Sequence, residues 1–367
     1  MRFFHSHKKT LGPPDWILVG IMMLLSLFGL LMVYDSSVSI AVRDFGNQYY
    51  FLTEQLKWLA IGCVVYFFMA FTDYKIWKKL ALPGLIATML LLLVVFVPGV
   101  GIKALGAKRW INFGFFVLQP AELAKMSLIV YLSTWLSEKN TKKLIPFLII
   151  LGIILFLVTL EPDLGTAVIL LVSALSMYFY SGAPLAHFIL FIPIVVLGFG
   201  GLSVFSPYRF QRILTFFNPE HDPLGASYHI RQALIALGSG GLFGIGIGQS
   251  RQKYEYLPEA NTDSIFAIIG EELGFVGGAI LILLFIVIIW RGFAIARRTE
   301  DPFGRLLALG ITTWIAFQVI INISAMVALI PLTGVPLPLI SYGGSSLIIV
   351  LTGFGILTNI GRHRTNT

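Results

Sequence analysis

Tyr256-Leu257-Pro258-Glu259-Ala260-Asn261-Thr262-Asp263-Ser264-Ile265-Phe266-Ala267-Ile268-Ile269-Gly270-Glu271-Glu272-Leu273-Gly274 sets four carboxylates at the mouth of an apolar run that continues to residue 290. As a helix, a run of that length crosses the roughly 30 Å hydrocarbon core of a bilayer. Ionisable groups at such a boundary are costly to keep and mark function. The rest of the 367-residue chain is of the same kind, with 57% hydrophobic and 12% charged residues. Soluble domains carry roughly 25% charged residues. The chain reads as one all-α polytopic membrane domain over residues 1–367.

On a ruler of about 20 apolar residues per helix, about ten spans are expected: 15–34, 55–72, 79–97, 120–137, 144–160, 164–180, 184–205, 264–290, 305–330 and 343–361. The first follows Lys8 and Lys9 and lacks a clear small-residue cleavage site, so it reads as a retained helix after a short N-terminus of residues 1–14. Fifteen of the 26 basic residues fall on one face of this topology. They are Arg2, Lys8, Lys9, Lys75, Lys78, Lys79, Lys139, Lys142, Lys143, Arg291, Arg297, Arg298, Arg305, Arg362 and Arg364. The positive-inside rule makes that face, and both termini, cytoplasmic. The large loop at about 206–262, between spans seven and eight, is then extracytoplasmic.

Cys63 is the single cysteine, which excludes an intrachain disulfide and any CxxC site. The six histidines show neither HxxxH nor HExxH spacing, so no structural zinc is expected. The pI near 9.5 follows from topology and from external cations, and nucleic acid is not implied.

Four irregular regions interrupt the spans. Pro98–Gln119 contains Lys108-Arg109-Trp110 and leads into Gln119-Pro120-Ala121-Glu122-Leu123-Ala124-Lys125. Pro120 suits a first helical turn, and Glu122 suits the dipole there. Lys125, three residues on, shares a face with Glu122, which leaves structural pairing and substrate contact as two readings. Glu161-Pro162-Asp163-Leu164-Gly165-Thr166 follows a span short enough to draw this acidic turn below the outer surface. The long loop holds Arg209, Arg212, a short interfacial helix expected near 228–237 with His229 and Arg231, and a glycine run over 238–248. That run lacks the Gly-Lys-Ser/Thr of a phosphate loop and suits close backbone approach. Pro331–Ser346 has three prolines in eight residues, which forbids regular helix. Its Ser341 and Ser345 would bond sugar or phosphate, or else satisfy broken helix ends.

Together these motifs resemble the FtsW/RodA/SpoVE (SEDS) family of cell-wall polymerases from the first span to the last. The resemblance is carried by Gly238–Gly274, Arg109-Trp110-Ile111, Gln119–Glu122, Glu161–Thr166 and Pro336–Ser346. Leu257–Ala260 and Gly248–Lys253 look most like the division branch, FtsW, with the sporulation branch close. Asn261 stands where the family usually has His, Ser264 where it has Phe and Ala121 where it has Ser, so no His or Ser role carries over to these positions.

The resemblance implies a peptidoglycan glycosyltransferase that moves disaccharide units from lipid II to a nascent glycan strand on the outer face of the cytoplasmic membrane, at the septum. It maps the family's catalytic aspartate onto Asp263. The residues agree, since the reaction needs a base for a sugar hydroxyl and cations for the leaving pyrophosphate. The competing reading of Asp263 is a helix N-cap. Arg109, Lys125, Arg209, Arg212 and Arg231 are expected to hold pyrophosphate. Glu122 and Asp163 would position them or a divalent cation such as Mg or Mn, which no ligand spacing demands. The family also implies a class B penicillin-binding transpeptidase partner and other division proteins. Two rivals stand: a lipid II flippase, which needs polar groups along its whole path, and a non-catalytic scaffold, which needs neither Asp263 nor external cations.

Overall fold

The computed structural model describes residues 12–104, 107–114, 116–138, 144–204, 212, 214–216, 225 and 227–363. Each of the ten apolar runs coincides with a helix: α1 (Trp16–Phe45), α2 (Tyr50–Phe71), α3 (Ile76–Val94), α4 (Pro120–Leu136), α5 (Leu144–Leu160), α6 (Leu164–Tyr180), α7 (Leu185–Val204), α9 (Ile265–Arg298), α10 (Pro302–Met326) and α11 (Gly344–Arg362). A short eleventh helix, α8 (Tyr228–Gly240), lies in the long loop, close to the expected 228–237. Among the described residues, α1, α2, α3, α9, α10 and α11 are long and apolar enough to cross a membrane, and α5 and α6 are shorter apolar helices.

Burial sorts these helices. The apolar windows of α10 and α11 are 83% and 78% buried, against 22% for α3 and 28% for α2 and α9. The two late helices therefore form the core together with α4, most of whose residues are buried, while α2, α3 and α9 turn an apolar face outward. Phe68, Val64, Phe275 and Ile280 are exposed there, where lipid takes the place of water. Small residues let the helices approach closely. A Cβ on Gly355 of α11 would lie 2.7 Å from the Tyr66 carbonyl oxygen of α2.

Polar contacts gather at two ends of the bundle. At one, Asp15 caps α1 and pairs with Arg291, and Asn359 holds the Tyr74 amide. At the other lie the breaks between helices. Here Pro98–Gln119 contains a three-stranded antiparallel sheet, β1 (Gly101–Ala104), β2 (Ala107–Asn112) and β3 (Val117–Leu118), in the order β1-β2-β3.

The glycine run meets a break in α9. Gly274 has φ +68 inside the helix. The freed backbone is repaired from the loop, as Phe275 and Val276 donate to the carbonyls of Gly241 and Leu242, and Ile245 and Gly246 donate to those of Glu271 and Glu272. A side chain would not fit, because a Cβ on Gly274 would lie 2.3 Å from the Gly244 nitrogen.

Candidate active site

Asp263 sits in the turn just before α9, partly exposed. It does not cap that helix: Ser264 is the N-cap residue, and no side chain caps the first turn. Among the described residues its carboxylate makes neither a hydrogen bond nor an ion pair. Burial first, then the nearby Glu259, pushes this carboxyl up to about 7, while Arg212 opposes the rise. Asp163 and Arg109 act on it more weakly. Residues from the first strands, the α5–α6 turn and the long loop therefore share one field with Asp263.

The backbone of the turn is held tightly. The Tyr342 amide donates to the Asn261 carbonyl at 2.9 Å and Ser341 Oγ to the Thr262 carbonyl at 2.6 Å. Asn322 Nδ2 donates to the Asp263 carbonyl at 2.8 Å. Ser341 also accepts the Leu337 amide at 2.8 Å, which engages its hydroxyl in tying down the broken 331–343 segment. Ser345 joins β3 to α11, donating to the Val117 carbonyl at 3.0 Å and accepting the Gln119 amide at 3.3 Å.

Arg109, on β2, donates through Nε and Nη2 to the carbonyls of Glu161 and Pro162 at 3.0 and 2.7 Å. Two of its five N–H donors are used there. Asp163 caps α6, accepting from the Thr166 amide at 3.0 Å and hydroxyl at 2.8 Å. Gln119 Nε2 reaches it at 3.4 Å. Glu161 is fully buried, and burial, reinforced by Asp163, pushes its carboxyl up to about 9. It carries a proton at neutral pH. Arg212 Nη1 donates to the Leu332 carbonyl at 2.8 Å. Arg231 is exposed on α8, and Arg209 lies outside the described residues.

Glu122 and Lys125 form the pair that their spacing suggested, at 2.7 Å and almost wholly buried. Lys125 Nζ also donates to Gln318 Oε1 at 3.1 Å and lies 5.2 Å from the Trp314 ring centre. Gln318 in turn donates to the Pro336 carbonyl at 3.0 Å. A separate buried group joins Lys253 to Asp35 at 2.7 Å and to Glu272 at 3.1 Å, with Ser250 on Glu271. Glu272 thus pairs with Lys253, while Glu271 accepts from the Ser250 and Ser239 hydroxyls and the Arg251 amide. Among the described residues no three His, Cys, Asp or Glu side chains gather as a metal site, and no step below runs through a metal.

Sequence reasoning missed Gln318, Asn322, Glu161 and the His229–Ser264 contact at 2.6 Å. Of these, only Glu161 gave a signal, by sharing its motif with Asp163.

A family model described as a cell cycle protein, FTSW_RODA_SPOVE, matches residues 15–366. The chain belongs to this family. FTSW_RODA_SPOVE membership thus takes in every element of the site. Within the family, Stage V sporulation protein E of Bacillus subtilis strain 168 is 43% identical over 97% of this chain and 98% of the relative. A probable peptidoglycan glycosyltransferase FtsW of Trichlorobacter lovleyi is 40% identical over 94% of this chain and 92% of its own. The chain is also similar to one in a solved peptidoglycan synthase complex that coordinates polymerization and crosslinking, with a TM-score of 0.78 and 28% identity over 95% of this chain and 98% of that one. Rod shape determining protein RodA of Thermus thermophilus gives a TM-score of 0.70 at 28% identity, covering 96% and 98%.

Proposed function

We propose that this protein is a peptidoglycan glycosyltransferase that polymerises lipid II on the outer face of the cytoplasmic membrane, with Asp263 as general base. The observation that carries the reading is a carboxylate with no cap, hydrogen bond or ion pair of its own among the described residues. Its pKa near 7 suits a base working close to neutral pH.

In the reaction, an acceptor sugar hydroxyl gives its proton to Asp263 as its oxygen bonds to the donor's anomeric carbon. The bond from that carbon to the pyrophosphate oxygen breaks, and its electron pair leaves with the lipid pyrophosphate. Arg109 and Arg212, with Arg209 and Arg231 from the same loop, supply the positive field for that anion. Asp163 orders the α5–α6 turn against which Arg109 is braced. Glu161, holding its proton, adds no opposing charge. Ser345 fixes the sheet that carries Arg109, and Ser341 fixes the turn that carries Asp263.

The proposal extends to ten spans in a single domain, cytoplasmic termini and the septum as the place of work. It also includes a class B penicillin-binding transpeptidase as partner, in keeping with the synthase complex to which the chain is similar. Among the described residues, the charged groups that act on Asp263 come from the breaks between helices at one end of the bundle, which favours polymerisation over flipping.

The test is polymerisation of fluorescent lipid II by the purified protein with its transpeptidase, with moenomycin present to silence contaminating enzymes. Asp263→Asn is expected to lose roughly 10²–10⁴-fold in rate, and the wild-type rate is expected to rise through about pH 7 as the carboxyl ionises. Equal product from both proteins would remove Asp263 as the base. Lipid II crossing vesicle membranes with no glycan from either would establish the flippase.

A further inference from the structure

We infer that His229 is a positioning residue for Asp263, acting through the Ser264 hydroxyl. The inference rests on the polymerase reading above. The carbonyls of Asn261, Thr262 and Asp263 are held from the 341–342 segment and from α10. The next residue, Ser264, is held from a third direction, by His229 Nε2 of α8 at 2.6 Å.

The chemistry of Ser264 fixes the sense of that bond. Its hydroxyl, wholly buried, donates to the Pro258 carbonyl at 2.9 Å. One proton cannot serve two acceptors, so the bond to His229 is made with Nε2–H as donor and Ser264 Oγ as acceptor. The imidazole is held neutral in that form, because burial and the charge of Arg212 push it down to about 4. Ser264 is the N-cap residue of α9, yet its hydroxyl does not cap the helix. It is committed instead to closing the 258–264 turn, which the amides of Thr262 and Ser264 also close by donating to the Glu259 carbonyl, each at 3.1 Å.

Removing the imidazole orphans a buried acceptor and frees the side of the turn facing the long loop. Among the described residues, Asp263 has no side-chain bond of its own and no other hydrogen bond from the long loop holds that side of its turn. A displacement of about 1 Å at a reacting group costs up to about 100-fold in rate.

The experiment measures kcat, KM for fluorescent lipid II, the pH–rate profile and thermal unfolding of the full chain with its transpeptidase. His229→Leu removes the donor at similar bulk, His229→Gln keeps an N–H donor, and Ser264→Ala removes the acceptor. His229→Leu is expected to lower kcat about 10-fold or more with KM within about twofold, since the loss falls on transition-state geometry. His229→Gln should recover to within about threefold. Ser264→Ala, which also loses the bond to the Pro258 carbonyl, should be at least as impaired as His229→Leu. The double variant should be no worse than Ser264→Ala alone, because the alanine already removes the His229 bond. In the Leu variant the acid limb should move down by about half a unit or more, as water reaches the loosened carboxyl.

Wild-type kcat and profile in His229→Leu would overturn the inference. So would a Gln variant as impaired as the Leu one, or losses that multiply in the double variant. If His229→Leu fails to fold, the Gln and Ala variants decide the matter. A wild type that makes no glycan refutes the polymerase reading, and this inference with it. An active wild type with unaffected variants refutes this inference alone.

Discussion

Replacing Lys125 with Met is expected to cost the fold about 3–5 kcal/mol, and adding Glu122→Gln is expected to return most of it. Lys125 is 1% exposed and Glu122 2%, so neither charge has water to fall back on. Deleting one partner of a buried pair leaves the other uncompensated, at about 3–5 kcal/mol. That is roughly a hundredfold to several-thousandfold in the folded ratio. The double variant leaves no uncompensated charge. The buried amide at position 122 has no partner among the described residues once Lys125 is gone, which keeps the return incomplete. Gln318 Oε1, which loses Lys125, still accepts from Trp314 Nε1 at 2.7 Å, and replacing both charges with neutral side chains of similar size gives up the desolvation cost together with the attraction.

Thermal unfolding of the purified protein reads the first part, and glycan synthesis from lipid II reads the second. Lys125 Nζ is engaged by Glu122 and Gln318, and Gln318 holds Pro336. The ammonium therefore acts on the site through the 331–343 segment. The double variant should polymerise within about tenfold of wild type, since Gln318, though it loses Lys125, keeps its bonds to Trp314 and to the Pro336 carbonyl. A Lys125→Met variant that melts like wild type refutes the energetics. A double variant that is stable but makes no glycan refutes the positioning role and puts the ammonium on the substrate.

Two further outcomes follow from the same contacts. Glu161 ordinarily titrates at 4.5 and is pushed up to about 9, so between those values the folded chain holds a proton that the unfolded chain lacks, and the stability this contributes is lost as pH rises through 9. Because that loss runs from pH 4.5 to about 9, Glu161→Gln should melt like wild type near pH 4.5 and increasingly above it as pH rises to 9; parallel curves across that range would sink the assignment. At Gly274, φ +68 and a Cβ position 2.3 Å from the Gly244 nitrogen make Gly274→Ala cost about 2 kcal/mol or more. Gly278→Ala, whose Cβ would rest 3.7 Å from the Phe266 ring, should be tolerated, and equal melting of the two would contradict the packing argument.

The sequence carried the helices because apolar length is a local property, but it set their ends by hydrophobicity and not by hydrogen bonding. α1 was read to residue 34 and runs to Phe45, since Ser36, Ser37 and Ser39 are polar without being helix breakers. α9 likewise continues past 290 to Arg298. The small sheet left no mark, for its strands are two to six residues long and show no sustained alternation. In the site, Glu122 and Lys125 were legible as a pair because three residues on a helix make neighbours. Gln318, Asn322 and His229 were not. Each is a common neutral residue whose meaning comes from a contact 13 to 193 positions away, and one sequence holds no record of such contacts.

The two aspartates of the site show what separates a structural carboxylate from a chemical one. Asp163 is fixed through its own oxygens, which accept from Thr166 twice and from Gln119. Its oxygens are thereby spent on ordering the start of α6. Asp263 is fixed through its backbone instead: Asn322 takes its carbonyl, and Ser341 and Tyr342 take the two before it. The side chain is held in place without being neutralised by donors, so burial raises its proton affinity to about 7. A base must be both located and unsatisfied, and clamping the main chain achieves both. The broken 331–343 segment, whose prolines forbid a helix, supplies the free hydroxyl and amide that such a clamp requires, which a continuous helix there would have spent on itself.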